Sequence, residues 1–194
     1  MDAEIDSFIE GLRSLATPVY LRIGYEFNGL TWNGYQPATY KQAFIRITKK
    51  IREANLEVAT VWDAAVAGSS NYMSWYPGDD VVDWWGINPF AVSDLSNSTM
   101  IDFLKDANLH KKPVMIGEST PQKVGVLQGE TSWTKWFVPY FKLIRSNAGL
   151  KMFCYINWNW AVYPQWSDWG DCRLEMNSIV AGHYNDEMKD VSYL

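Results

Sequence analysis

Two glutamates each follow a short apolar run that is typical of a buried β-strand. Glu26 comes after residues 19–23, and Glu118 comes after the run 114–117. Because the carboxyl ends of the strands of a (β/α) barrel meet in one mouth, the two carboxylates are expected to face each other. A carboxyl pair about 5 to 5.5 Å apart can hydrolyse a glycosidic bond with retention, one group acting as acid and base and the other as nucleophile. The two glutamates are therefore the candidate catalytic residues.

Aromatic residues are unusually frequent in this chain, with 11 Trp, 11 Tyr and 8 Phe, or 15% of the sequence. Flat aromatic rings pack well against the C–H faces of sugars, although a tryptophan-rich core explains the composition equally well. Tyr25, Phe27 and Trp32 lie close to Glu26 in sequence. They can exclude water from one carboxyl group and raise its pKa, so that it keeps a proton while the other glutamate stays ionised.

The elements that must position these residues alternate between strand and helix. Apolar residues at helical spacing predict helices over residues 2–15, 37–51, 98–107 and 133–147. Short apolar runs predict strands over residues 19–23, 57–63, 81–90, 114–117 and 151–160. Strands that are apolar throughout are typical of a parallel sheet covered by helices, so the fold class is α/β.

A polar residue at the carboxyl end of each predicted strand favours a barrel over an open nucleotide-binding sheet. These residues are Glu26, Asp63, Asn88, Glu118 and Asn157, and a (β/α) barrel keeps its active site at this end. No glycine-rich phosphate loop follows any strand. A full TIM barrel has eight strands in about 250 residues. The chain is therefore interpreted as one domain, residues 1–194, that holds the last five strand and helix units.

Composition disfavours several other classes of protein. The net charge of −5 gives no basic surface for nucleic acid. No stretch approaches the roughly 20 apolar residues of a membrane span, and the acidic amino terminus does not read as an export signal. Cys154 and Cys172 lie far from both histidines, so free thiols and no metal site are expected. A packed capping loop is favoured over a cation site in the acidic segment 164–175.

Six motifs in order carry a resemblance to a known family. They are LRIGYEFNG, WNGYQPATYKQAFIRI, VWDA, YPGDDVVDWWGINPF, PVMIGEST and YINWNW. Together they resemble glycoside hydrolase family 26, the β-mannanase family within the clan of retaining (β/α)8 enzymes, and the likeness covers nearly the whole chain. The resemblance implies that the chain begins just before the fourth strand and is the carboxyl-terminal part of a glycoside hydrolase catalytic domain.

The resemblance also implies roles for individual residues. Glu26 would be the acid/base at the end of the fourth strand, Glu118 the nucleophile at the end of the seventh, and Arg22 would point into the barrel. Two positions depart from the family pattern. Tyr25 stands where the family usually has histidine, and Phe90 stands where it has a tyrosine that hydrogen-bonds the nucleophile. Arg22, Tyr25 and Phe90 are all predicted to contact the substrate, so both departures bear on the substrate and the rate.

Several further side chains are predicted to contact the sugar. Trp158 and Trp160 resemble the family's aromatic platform, and strand alternation would aim both the same way, one in the site and one at its rim. The other candidates are Asn28 and Trp32 in the loop after Glu26, and Trp62 and Asn88 at the ends of two strands, with Asp63 as site wall.

The sequence thus predicts a retaining β-glycoside hydrolase acting on β-mannan, of the endo-1,4-β-mannosidase type, or on a similar β-linked polysaccharide. It would need no cofactor. Alternatives are a relative acting on xylan or a β-glucan, a carbohydrate-binding protein without catalysis, and a fragment without activity. The substrate class places the full-length protein outside the cell. Open barrel edges predict that this chain alone is poorly stable or self-associates.

Overall fold

Five strands alternate with helices along the chain. The structure, a computed structural model, describes residues 2–190. The strands are β1 (Val19–Arg22), β2 (Val58–Ala65), β3 (Trp84–Asn88), β4 (Val114–Ile116) and β5 (Leu150–Phe153). The helices are α1 (Asp2–Ser14), α2 (Pro37–Glu53), α3 (Ser98–Leu109), α4 (Glu130–Ser132), α5 (Val138–Ser146) and α6 (Ser178–Glu187), with a π-helical segment, Trp133–Phe137, between α4 and α5. Within residues 2–190, no helix combines the length and the apolar character that crossing a bilayer requires.

The strands form one parallel sheet in the order β1-β2-β3-β4-β5. Each strand pairs with the next one along the chain, as in a (β/α) barrel, and the predicted α/β class and partial-barrel topology are confirmed. Within the described residues, β1 and β5 each pair on one side only. The sheet therefore ends in two unpaired edges.

The sheet curls strongly, so that its first and fourth strands approach each other. Three strand spacings in a flat sheet would separate β1 from β4 by about 14 Å. Instead, Arg22 at the end of β1 reaches Glu118, beyond β4, with 2.7 Å between Nη2 and Oε1. A Cβ atom at Gly117 would lie only 3.0 Å from Arg22 Nε. The carboxyl ends of the strands thus surround a shared interior, as a barrel wall does.

Aromatic side chains join the outer face of the sheet to the helices. Trp62 on β2 stacks on Phe103 of α3, with ring centroids 5.7 Å apart, and on Phe27 at 4.4 Å. Trp85 on β3 packs against the same Phe103 at 4.9 Å. All four rings are fully buried. Much of the aromatic excess therefore forms the core.

Residues of opposite character alternate along β2, because neighbouring side chains of a strand point to opposite faces. Trp62 faces the helices, whereas Asp63 faces the curled interior, where it contacts Arg22 and Asn88. Glycines leave the space that this carboxylate occupies. A Cβ atom at Gly86 would lie 2.4 Å from Asp63 Oδ2, which is closer than non-bonded atoms approach.

Two predicted strands are shorter than expected. The strand predicted over residues 81–90 begins only at Trp84, because Val81 still belongs to a turn in which its N–H donates to the carbonyl of Gly78. The strand predicted over residues 151–160 ends at Phe153. Beyond it the chain turns, and the N–H of Trp160 donates to the carbonyl of Gly170 in the following loop.

Candidate active site

Glu26 lies in the turn that follows β1, in an unusual backbone conformation. Its φ is +51°, in the left-handed region that a residue with a side chain adopts only when its surroundings hold it there. Asn33 supplies part of that restraint, because its Nδ2 donates to the carbonyl oxygens of Tyr25 and Glu26 at 3.0 Å each. The turn carries the Glu26 side chain into a cleft at the mouth of the curled sheet.

Two donors hold the carboxylate of Glu26. Trp32 Nε1 donates to Oε2 at 2.8 Å, and Asn88 Nδ2 donates to Oε1 at 3.2 Å. Burial raises the pKa of Glu26 above its ordinary value, and the negative charges of Glu118 and Asp63 act in the same direction. The two hydrogen bonds oppose that rise without cancelling it. Glu26 therefore keeps its proton to higher pH than an exposed glutamate, as a general acid requires.

Glu118 lies two residues beyond the end of β4 and opens onto the same cleft. Its Oε1 accepts from Nη2 of Arg22 at 2.7 Å, and its side chain is 30% exposed. The two glutamates thus have different surroundings: Glu26 contacts a neutral amide and an indole, while Glu118 contacts a guanidinium. This asymmetry is the one that a proton donor and an ionised nucleophile need.

Asp63, predicted only as site wall, lies at the centre of the polar contacts. Its Oδ2 accepts from Nε of Arg22 at 3.0 Å and its Oδ1 accepts from Nη2 at 3.1 Å. Asn88 Nδ2 donates to Oδ1 at 2.9 Å, and the backbone N–H of Glu26 donates to the same oxygen at 3.4 Å. Burial raises the pKa of Asp63, and the positive charge of Arg22 counteracts that rise. The side chain has no exposed surface.

The cleft has a volume of about 670 Å³, within the range of small-ligand sites. Both glutamates line it. Five of the side chains predicted to bind substrate also line it, namely Tyr25, Trp32, Asn88, Phe90 and Trp160. Arg22 does not line it but contacts Glu118, and its guanidinium carbon lies 5.3 Å from the ring centroid of Tyr25. Most of the predicted site residues are therefore brought together.

Trp62 and Asn28 lie away from the cleft, and we do not propose them as substrate contacts. Trp62 is fully buried between the sheet and α3. Asn28 is also buried, and its amide is used within the protein: Nδ2 donates to the carbonyls of Ala65 and Ser69, while Oδ1 accepts from the N–H of Ala65. Both side chains stabilise the loop after β1 and are not available to contact a ligand.

Of the two tryptophans predicted as the aromatic platform, Trp160 reaches the cleft and Trp158 does not. Its Nε1 donates to Thr120 Oγ1 at 3.4 Å, which helps to fix the indole. Trp158 is 48% exposed and stacks on Tyr163, with ring centroids 6.5 Å apart. Of the pair predicted as one site residue and one rim residue, the structure places Trp160 at the cleft and Trp158 outside it.

The sequence prediction did not include several residues that line the cleft. Trp166 and Trp169 come from the loop after β5, where their rings pack against Trp160. Gln122 and the largely buried Asp94 complete the same end. The tryptophans of the segment 164–169 were a visible signal, since aromatic residues beside a strand end often contact a sugar. No feature of the local sequence marks Gln122 or Asp94 as a cleft residue.

The acidic side chains of the loop 164–175 are paired with protein groups. Asp171 binds Arg173 at 2.7 Å, and Asp168 binds Lys123 at 2.8 Å. Glu175 accepts from Asn157 at 2.9 Å. Within residues 2–190, no three His, Cys, Asp or Glu side chains are grouped so as to hold a metal ion. Both cysteines in this part of the chain carry free thiols.

Comparison with known proteins gives relatives in sequence and in structure. The chain is 32% identical, over its whole length, to a β-1,3-xylanase of Alcaligenes sp., of which it covers 47%. It superposes on a family 26 β-mannanase from Bacteroides ovatus with a TM-score of 0.72 at 18% identity, covering 96% of this chain and 56% of that one. A modular endo-β-1,4-mannanase from Cellulomonas fimi gives the same TM-score at 16% identity, covering 100% and 48%.

These comparisons confirm the resemblance to glycoside hydrolase family 26 that the motifs indicate. No protein-family profile matches the chain. The similarity to the solved structures concerns the fold, whereas the similarity to the xylanase extends to sequence. The chain spans about half the length of the curated relatives it matches.

Proposed function

We propose that this chain carries the catalytic pair of a retaining β-glycoside hydrolase, with Glu26 as acid/base and Glu118 as nucleophile. The observation that carries the proposal is that both carboxylates line one cleft in different electrostatic surroundings. Glu26 has a raised pKa, with burial as the largest cause, and Glu118 is paired with Arg22. A pair divided in this way suits double displacement at an anomeric carbon.

The reaction would proceed in two steps with the same two residues. In the first, the Glu118 carboxylate attacks the anomeric carbon while the Glu26 carboxyl group gives its proton to the departing glycosidic oxygen, leaving a glycosyl ester on Glu118. In the second, ionised Glu26 takes a proton from water, whose oxygen attacks the anomeric carbon and releases Glu118. Each group ends in its starting state, and the configuration is retained. Two carboxyl groups and water suffice, so the reaction requires no cofactor.

The substrate we propose is a β-linked xylan, in particular a β-1,3-xylan. This choice rests on the β-1,3-xylanase that is 32% identical to the whole of this chain. A β-mannan is the second candidate, because the mannanases share the fold with TM-scores up to 0.72. Tyr25 and Phe90, the two departures from the mannanase pattern, both line the cleft. We therefore rank xylan above mannan, and a β-glucan below both.

The physiological partner in this proposal is a polysaccharide, bound along the aromatic side chains that line the cleft, among them Trp160, Trp166 and Trp169. Polymers of this kind are too large to enter a cell, so the full-length protein would act outside it. The alternative class is a carbohydrate-binding protein that retains the aromatic cleft without turnover. A Glu118→Ala variant separates the two. A binder would keep its sugar affinity unchanged with no hydrolysis in either form, whereas an enzyme would lose turnover.

The decisive experiment measures hydrolysis and identifies the nucleophile. The chain is incubated with β-1,3-xylan, β-1,4-xylan, β-mannan and a mixed β-glucan, and new reducing ends are counted. Proton NMR of the first product should show the β-anomer before mutarotation. Glu26→Gln and Glu118→Gln should each reduce turnover by about a thousandfold or more. Glu10→Gln on the exposed face of α1 should not.

A 2-deoxy-2-fluoro-β-xyloside with a good leaving group should then label Glu118, as peptide mass spectrometry would reveal. Labelling of another residue, or an α-anomeric first product, would refute the assigned mechanism. Cleavage of mannan but not of xylan would overturn the substrate ranking and leave the mechanism standing.

A further inference from the structure

We propose that Asp63 is the positioning residue that fixes the two candidate catalytic glutamates relative to each other. This assignment rests on the proposed function. Asp63 does not line the cleft, and its side chain is fully buried. It belongs to β2, between the strand that leads to Glu26 and the strand that leads to Glu118.

One intermediary links Asp63 to each glutamate. On one side, Nη2 of Arg22 lies 3.1 Å from Asp63 Oδ1 and 2.7 Å from Glu118 Oε1. On the other side, Asn88 Nδ2 donates to Asp63 Oδ1 at 2.9 Å and to Glu26 Oε1 at 3.2 Å. Both intermediaries share the single oxygen Oδ1 of Asp63. Movement of this carboxylate therefore changes the position of both glutamates together.

The backbone of Glu26 is tied to the same group. Its N–H donates to Asp63 Oδ1 at 3.4 Å, and its φ of +51° needs an external restraint. The neighbouring N–H of Phe27 donates to the carbonyl of Asp63 at 3.3 Å. Asp63 thus contacts the turn that carries Glu26 through its side chain and through its backbone.

The packing around Asp63 is an independent sign that the site is built around it. Gly86 on β3 and Gly117 after β4 flank it, and a Cβ atom at either position would lie 2.4 or 2.5 Å from Asp63 Oδ2. Both distances are below any real non-bonded contact of a Cβ atom. Two neighbouring strand segments therefore have no side chain at the level where this carboxylate lies.

The charges near Glu26 predict the direction in which its pKa changes when Asp63 is replaced. The charged groups that act on the pKa of Glu26 are Glu118 and Asp63, and the guanidinium of Arg22 pairs with both of them. The negative charge of Asp63 raises the pKa of Glu26. Asp63→Asn removes that charge and keeps the size of the side chain, and it leaves the charge of Arg22 less compensated. Both changes favour ionised Glu26, so the pKa of Glu26 should fall.

The test compares the Glu26 titration in the wild type and in Asp63→Asn. Glutamate is labelled with ¹³C at the side-chain carboxyl group, and the Glu26 resonance is identified by its loss in Glu26→Gln. The midpoint should move to lower pH in Asp63→Asn.

Where hydrolysis is measured, kcat should fall by about 100-fold, because the reacting groups are displaced, while KM stays within about threefold. The matched control is Asp83→Asn, whose carboxylate binds Arg52 and Thr60 outside the cleft and should leave the midpoint unchanged.

A folded Asp63→Asn variant with an unchanged Glu26 midpoint would overturn the proposal. A wild type that hydrolyses none of the polysaccharides would overturn the proposed function alone, since the titration is measured without turnover. If Asp63→Asn does not fold, a measurement on the wild-type protein tests the proposal instead. The Nε proton of Arg22, which donates to Asp63, should exchange with water far more slowly than that of exposed Arg52, and equal rates would refute the contact.

Discussion

Arg22 Nη2 lies 2.7 Å from Glu118 Oε1 although Arg22 ends the first strand of the sheet and Glu118 follows the fourth. The contact spans the mouth of the curled sheet and joins its two sides by charge. The same guanidinium binds the buried Asp63 through two nitrogens. Arg22 therefore acts both on the stability of the sheet and on the orientation of the candidate nucleophile.

Replacing Arg22 should destabilise the fold. Arg22→Met leaves the fully buried Asp63 without its cation, and uncompensated buried charges of this kind cost about 3 to 5 kcal/mol. Urea unfolding followed by tryptophan fluorescence measures the loss. The control is Arg52→Met, because Arg52 pairs with Asp83 at the surface with side chains 51% and 32% exposed, where a pair contributes about 1 kcal/mol or less. Equal losses in the two variants would contradict the role of Arg22.

Trp32 should set the pH range of activity through its hydrogen bond to Glu26. The indole N–H donates to Oε2 at 2.8 Å, and this bond lowers the pKa of Glu26. Trp32→Phe removes the donor, so the pKa should rise and protonated Glu26 should persist to higher pH. The basic limb of the kcat/KM profile should therefore move to higher pH. Trp166→Phe, which changes a cleft ring that packs on Trp160, should leave the limb in place.

Trp160 should contribute to sugar binding and Trp158 should not. Trp160 lines the cleft and Trp158 does not, and stacking on an aromatic ring contributes about 1 kcal/mol beyond the area that is buried. Trp160→Ala should therefore weaken the affinity for an oligosaccharide by at least about fivefold in titration calorimetry. Trp158→Ala, which removes an exposed ring stacked on Tyr163, serves as the comparison. A larger loss in Trp158→Ala would place the sugar outside the cleft.

The open sheet edges should cause self-association. β1 carries the 45% exposed Tyr20, and an edge strand with an exposed aromatic residue can pair with another chain. Light scattering after size exclusion should show dimers or larger species at concentrations above about 10 µM, an ordinary range for weak association. Tyr20→Lys should shift the protein toward monomer, whereas Leu109→Lys, at an exposed position on α3, should not. A monomeric protein with a cooperative melt would disprove the expectation.

The helix and strand alternation could be predicted from the sequence because each element has a clear hydrophobic period. The bounds of α2 show this, since Pro37 begins the helix as expected for a proline in the first turn. The last strand was predicted too long because residues 154–160 are as apolar and aromatic as a strand. The N–H of Trp160, however, donates to the carbonyl of Gly170 in a later loop, a contact that lies outside any local pattern.

The candidate site was only partly predictable for a related reason. Glu26 and Glu118 were recognisable because each lies within a few residues of the end of a strand. Trp62 and Asp63 are neighbours on β2, and the sequence suggested the tryptophan as a substrate contact. In the fold, Trp62 packs in the core on the helix side of the sheet, whereas Asp63 points to the interior of the curled sheet, where it binds Arg22. Gln122 reaches the cleft from a loop, and no local spacing reveals a contact made between distant segments.

The strand order from β1 to β5 follows the chain, so each new strand can add to the one before it by closing only the connection between them. The polar cluster behaves differently, because it gathers side chains between residues 22 and 118 and exists only when four strands are in place. Burial of Trp62 against Phe27 needs only the first two strands. The burial of Trp62 would thus report an early stage of folding, and the appearance of turnover would report its completion.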